Sequence, residues 1–141
     1  VPVPFRANRF ELQIPDGWRD DSAYRFVSPD GEERISMRIE YRAMDVPLEA
    51  RLLEKTATVR EGVPYAELRW TGDTTLGRWP AKAFVIEGQR GDEVALTYYC
   101  VLATPIEQQL VVLEYEGPSE RWPRAEEMMR QFSYSVRLAG L

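Results

Sequence analysis

No histidine occurs anywhere in this chain of 141 residues, and only one cysteine does. The first absence removes Ser–His and Cys–His nucleophile activation and leaves no imidazole for a zinc or non-haem iron site. The second rules out an internal disulfide, so nothing in the sequence favours an oxidising compartment. Cys100 stands in an apolar stretch with no cationic neighbour in sequence, which favours an inert core thiol over a nucleophile. No apolar run approaches the roughly 20 residues of a membrane helix. Val1-Pro2-Val3-Pro4 has neither the basic start nor the apolar core of a signal peptide, so a cytoplasmic location is expected, or a periplasmic one if a signal has been trimmed. An excess of positive charge is also missing. The 18 basic residues face 23 acidic ones, a net charge of −5, which opposes nucleic acid or stable insertion in an anionic membrane.

What is present reads as one globular domain over residues 1–141, with a core from about 10 to 138. Ten prolines and nine glycines suggest many short elements joined by turns. Phe10, Leu12 and Ile14 alternate with Glu11 and Gln13 as a strand, which Pro15-Asp16-Gly17 ends in a turn before Trp18. Tyr24 to Val27 and Ile35 to Tyr41 read as strands around a Pro29-Asp30-Gly31 hairpin signal, the second with one buried and one solvated face. Asp45 and Pro47 announce a helix with the stripe Leu48, Leu52, Thr56, Val59, closed by Gly62 and Pro64.

Further strands are expected at Tyr65 to Thr71, Ala81 to Glu87, Val94 to Ala103 and Gln109 to Tyr115. Val94 to Ala103 is apolar on both faces, the mark of a central strand. Ser119 is placed to cap a second helix with Trp122, Ala125, Met129 and Phe132 on one stripe, and Tyr134, Val136 and Leu138 alternate as a last strand. Connections too short for parallel crossovers make the fold α+β, a largely antiparallel sheet flanked by helices.

The search for chemistry returns negatives, so no enzyme, metal or cofactor is expected. Asp16, Asp20 and Asp21 lack the dense ligand series of a calcium loop. Gly72 to Gly77 lacks the lysine and the strand-to-helix context of a phosphate loop and reads as a wide hairpin turn. Arg90-Gly91-Asp92 between Ile86 and Val94 has the residues of another turn. Apolar and aromatic residues, by contrast, are in surplus. Tyr98 and Tyr99 point to opposite faces of the central strand, Leu68 and Trp70 share a face of theirs, and two short helices are too small to cover everything. Such a surplus suggests a partner surface and a homodimer. Val94, Leu96 and Tyr98, two apart on one strand, form a continuous strip.

The opening FELQIPDGW, the acidic Asp20-Asp21-Ser22, the aromatic Phe26, and Gly77 through Pro80-Ala81 before a strand carry a resemblance. In that order they resemble the DcrB-like family (DUF1795), which includes the Eag chaperones of bacterial type VI secretion. The resemblance runs from about Phe10 to Leu138 and implies a Mog1/PsbP-like fold. It also implies a cytoplasmic homodimer that holds the N-terminal transmembrane helices of a secreted effector before export. The family's cradle residues map onto Ala23, Arg25, Lys55, Val59, Val94 and Tyr98, with Leu96 on the same strip. The chain departs from the family at Arg25, Lys55 and Tyr98, where small, aliphatic or glutamine side chains are usual. An accessory protein of the bacterial envelope is the alternative reading.

Overall fold

The stretch that reads as apolar on both faces is the middle of the molecule. In the computed structural model, which describes residues 15–16, 23–41, 46–91, 93–105 and 109–137, Ala95–Ala103 is a strand buried from Leu96 onward. The described strands are β1 (Ala23–Val27), β2 (Arg34–Tyr41), β3 (Glu67–Leu76), β4 (Trp79–Gln89), β5 (Ala95–Ala103) and β6 (Gln109–Pro118). They form one antiparallel sheet in the order β1-β2-β6-β5-β4-β3. Helix α1 (Leu48–Gly62) lies over β4, β5 and β3, and α2 (Trp122–Ser135) packs against β3 and β6.

Alternation along β5 builds two cores. Tyr98, Cys100 and Leu102 join Phe84, Ile86, Leu110 and Val112 under Leu52 of α1. Tyr99, Val101 and Ala103 join Leu76, Leu113 and Tyr115 under Ala125 and Met129 of α2. The expected stripes on both helices are the buried ones: Leu52 and Thr56 are covered, with Leu48 and Val59 packed beside them. On α2, Ala125 and Met129 are buried while Trp122 and Phe132 pack against the same core.

Several expectations need correction. Gly72 to Leu76 is not a wide turn but the second half of β3, and the turn is the tight Gly77-Arg78. Gly77 takes φ +57°, and its N–H donates to the Ser133 carbonyl at 2.7 Å, so the hairpin tip is tied to the end of α2. Leu68 and Trp70 do not share a face. A bulge at Arg69 sets Leu68 opposite Ile86 and Trp70 opposite Val85, which belong to different cores. The first strand-forming residue there is Glu67, while Tyr65 is exposed with φ +54°.

Ser119 does not cap α2. It opens a 3-10 turn, Ser119–Arg121, and its Oγ accepts the Thr97 hydroxyl at 2.8 Å. No last strand includes Tyr134 and Val136. Tyr134 continues α2, because the Ser133 hydroxyl donates to the Thr75 carbonyl at 2.6 Å and holds the helix end on β3. Pro47 occupies the α1 N-cap position without a side-chain cap bond. Asp45, Leu138, the strand around Phe10, Gly17, Trp18, and Asp20 to Ser22 lie outside the described residues.

The β1–β2 turn is pinned to the start of α2. Arg121 Nη2 lies 2.6 Å from Asp30 Oδ2 and Nη1 lies 3.2 Å from Glu33 Oε1, while the Tyr115 hydroxyl donates to Glu33 Oε2 at 2.7 Å. Arg121, the Ser28 hydroxyl and the Glu32 N–H hold the Asp30 carboxyl well below the usual carboxylate range. A depressed carboxylate contributes stability that is present above its unfolded value, about 3.9, and is lost as pH falls below it. Asp30→Asn is therefore expected to flatten the loss of stability below about pH 4. Urea titrations at a series of acidic pH values check this, and an unchanged acid limb would refute the pin.

Candidate functional site

The α1 side of the sheet divides into two halves. Under α1 it is apolar, but beyond it β2 and β6 place Ser36, Arg38, Glu40, Glu114 and Glu116 on that same face. The register sets Arg25 opposite Ser36, Ser36 opposite Glu114, and Glu114 opposite Cys100, so one row runs from charged to apolar. Arg38 pairs with Glu114 and, at 2.8 Å, with Glu40; Lys55 of α1 reaches Glu40 at 3.7 Å. Burial alone lowers the Arg38 guanidinium's proton affinity, but Glu114 and then Glu40 outweigh it and hold the pKa above its ordinary value. The Tyr98 hydroxyl also donates to Glu114. These charges therefore already satisfy one another.

Where the two halves meet, a groove of about 480 Å³ opens between α1 and β5, with Lys55, Thr58, Val59, Leu96, Tyr98, Glu114 and Glu116 among its walls. Four of the seven residues singled out from the sequence, Lys55, Val59, Leu96 and Tyr98, come together there. Ala23 and Arg25 lie on the same face, on β1, three strand spacings or roughly 14 Å from β5. Val94 does not line the groove. It precedes β5 at the β4–β5 turn, half exposed, its carbonyl accepting the Arg90 N–H at 3.0 Å.

Tyr98 is more deeply set than an open strip requires. It is 8% exposed, packs on Phe84 at 5.9 Å between ring centroids, and shows the groove only part of its ring. Sequence reasoning did not single out Arg38, Glu40, Glu114 and Glu116. Their signal was present as polar residues at alternate positions of β2 and β6, but which face they share depends on strand pairing.

The groove holds apolar walls and paired charges. Among the described residues no group of three or more acidic or cysteine side chains is set to hold a metal. Cys100 is fully buried beneath the groove, and desolvation pushes its thiol up to about 12. No helix of the described residues is long and apolar enough to cross a membrane.

No family profile matches this sequence, and no curated protein does. Solved structures do. The crystal structure of a Pseudomonas aeruginosa protein of unknown function, PA94, superposes with a TM-score of 0.77 at 17% identity, covering 97% of this chain and 96% of that one. The solution structure of the cyanobacterial PsbP protein CyanoP from Synechocystis matches with a TM-score of 0.54 at 13% identity, over 86% of this chain and 96% of that one. LpqN, involved in cell envelope biogenesis of Mycobacterium tuberculosis, matches with a TM-score of 0.53 at 14% identity, over 90% and 80%. At these identities the likeness shows the fold, a Mog1/PsbP-like α+β domain.

Two outcomes are expected from this geometry. Tyr98→Asp sets a carboxylate beside Glu114 in the core and should cost several kcal/mol, whereas Tyr98→Phe loses one hydrogen bond and should cost about 1–2 kcal/mol. Urea unfolding distinguishes them. Cys100 should resist a thiol-reactive disulfide reagent in the native protein and react at once in denaturant; rapid native labelling would contradict its burial.

Proposed function

We propose that this protein is a non-catalytic chaperone or adaptor that shields the N-terminal transmembrane helices of a type VI secretion effector before export. The carrying observation is that Lys55, Val59, Leu96 and Tyr98, singled out through the DcrB-like resemblance and the strand strip, line one groove. An apolar helix of about 20 residues aggregates in water unless its surface is covered. The groove supplies apolar contact from Val59, Leu96 and the Tyr98 ring. Lys55 and Arg38 do not oppose this role as bare cations would, because Glu40 and Glu114 neutralise them. A cavity of this size takes a few side chains rather than a whole helix. Contact therefore extends over the shelf toward Ala23 and Arg25, where the client's polar positions meet Arg25 and Glu116.

A second reading, an accessory protein of the bacterial envelope, is supported by the likeness to LpqN. Fractionation of the native host separates the two readings, since the chaperone acts in the cytoplasm.

The test is co-expression with the N-terminal helix of a candidate effector. Thr58 is exposed at the groove wall, so Thr58→Trp fills the groove without entering the core, and Val59→Asp places a charge against the client. Both variants should keep a cooperative melt and recover about tenfold less client, the effect of roughly 1.4 kcal/mol. Full recovery by folded variants would overturn the assignment.

A further inference from the structure

The α2 side of the sheet carries a second groove, of about 520 Å³, between β3 and α2. Strand register builds its floor. Trp70 of β3 stands opposite Val85 of β4, and Val85 opposite Tyr99 of β5, so a small side chain separates two aromatic ones in a single row. Trp70 and Tyr99 are two strand spacings apart, roughly 10 Å, and the trough over Val85 is wide enough for one six-membered ring. Trp122, Glu126 and Arg130, four apart on α2, form one wall, and Arg69 and Glu87, paired at 3.5 Å, stand on the sheet side. We propose that this groove binds a neutral sugar, one ring of which lies over Val85 against the Trp70 indole while the Tyr99 hydroxyl bonds one of its hydroxyls.

Two side chains here serve a ligand better than they serve the fold. Tyr99 is only 8% exposed and packs on Trp122 at 5.2 Å between ring centroids, yet its hydroxyl has no hydrogen-bond partner among the described residues. Phenylalanine would fill the core equally well, so the hydroxyl is spare, and it opens into the groove. Burial pushes its pKa up to about 12, which leaves it a neutral group able both to donate and to accept. Trp70 is the second. Its indole is 46% exposed and folded over Gly72 so closely that a Cβ there would sit 2.3 Å from Cζ2. Any other residue at 72 would lift the ring, so an apolar platform is held in place on the strand without being buried.

The charges select a neutral ligand. Arg69 with Glu87 on the sheet side, and Arg130 with Glu126 at 3.7 Å on α2, come as pairs of opposite sign, while the Asp73 carboxylate turns to Lys82 at 2.7 Å. An anion would meet a carboxylate at each rim, and a cation a guanidinium. A wholly apolar ligand would leave the Tyr99 hydroxyl unpaired. A sugar meets every demand: its C–H face packs on an indole, its hydroxyls exchange donors and acceptors with Tyr99, and neighbouring hydroxyls match the two coplanar atoms that a carboxylate or guanidinium presents. A nucleobase is served best by parallel aromatic faces, and Tyr99 and Trp122 meet at 43°. The sheet separates this groove from the client groove, so the site stands or falls independently of the chaperone reading.

Saturation-transfer NMR on the full chain tests this with a panel of neutral disaccharides, namely cellobiose, maltose, lactose, sucrose and diacetylchitobiose, and with glucuronic acid, glucosamine and adenosine for comparison. At least one neutral disaccharide should bind saturably at millimolar concentration or below, and more tightly than the charged sugars or adenosine. Trp70→Ala should weaken binding by about tenfold or more, with Trp70→Phe retaining part of it, and Tyr99→Phe should weaken it by up to about tenfold, the effect of one hydrogen bond. Because the Tyr99 hydroxyl has no partner in the fold, Tyr99→Phe should leave the urea midpoint where it is, which separates lost binding from lost structure. No saturable binding by any neutral disaccharide, binding indifferent to both substitutions, or tighter binding of adenosine or a charged sugar would each overturn the proposal.

Discussion

Burial of β5 on both faces is the constraint on which the rest of the molecule depends. A strand that is apolar on both sides needs hydrogen-bonded neighbours and a cover above and below. β4 and β6 supply the first, and α1 and α2 the second. Tyr98 and Tyr99, adjacent in sequence, end in different cores, and everything packed against one of them is separated from everything packed against the other by a single backbone. The polar anchors hold the outer parts to this centre: Ser133 ties α2 to β3, and Glu33 and Arg121 tie the β1–β2 turn to the opposite corner.

Because α1 is short, it covers only the β3–β4–β5 side of its face. The remaining part, on β2 and β6, is neither apolar nor bare. Arg38, Glu40, Glu114 and Lys55 cancel each other's charge across three elements, which lets a half-buried surface carry ions without a large desolvation cost. The groove at the junction thus has two chemistries in contact. The client contact proposed for this protein rests on that combination.

The similarity to solved structures is a statement about this frame. PA94, CyanoP and LpqN share the arrangement of sheet and helices at 13–17% identity. At such identities the side chains on the shelf are free to differ, and a shared fold does not carry a shared function. The proposals made for this protein accordingly rest on its own residues.

By itself the sequence determined the existence and order of the elements described, the buried stripe of each helix, and the central place of β5. These follow from local periodicity, which is written in neighbouring residues. It also marked Lys55, Val59, Leu96 and Tyr98. Only the tertiary structure decided that these four face one groove, that Arg38 and Glu114 stand beside them, and that Tyr98 belongs largely to the core. Each depends on strand register and on where α1 lands, which no short window contains. The bulge at Arg69 shows the limit most plainly. One extra residue moved Leu68 and Trp70 to opposite faces, and the tie of Gly77 to Ser133 turned an apparent glycine loop into strand and tight turn. Both arise from contacts between segments distant in sequence, and those contacts override the local pattern.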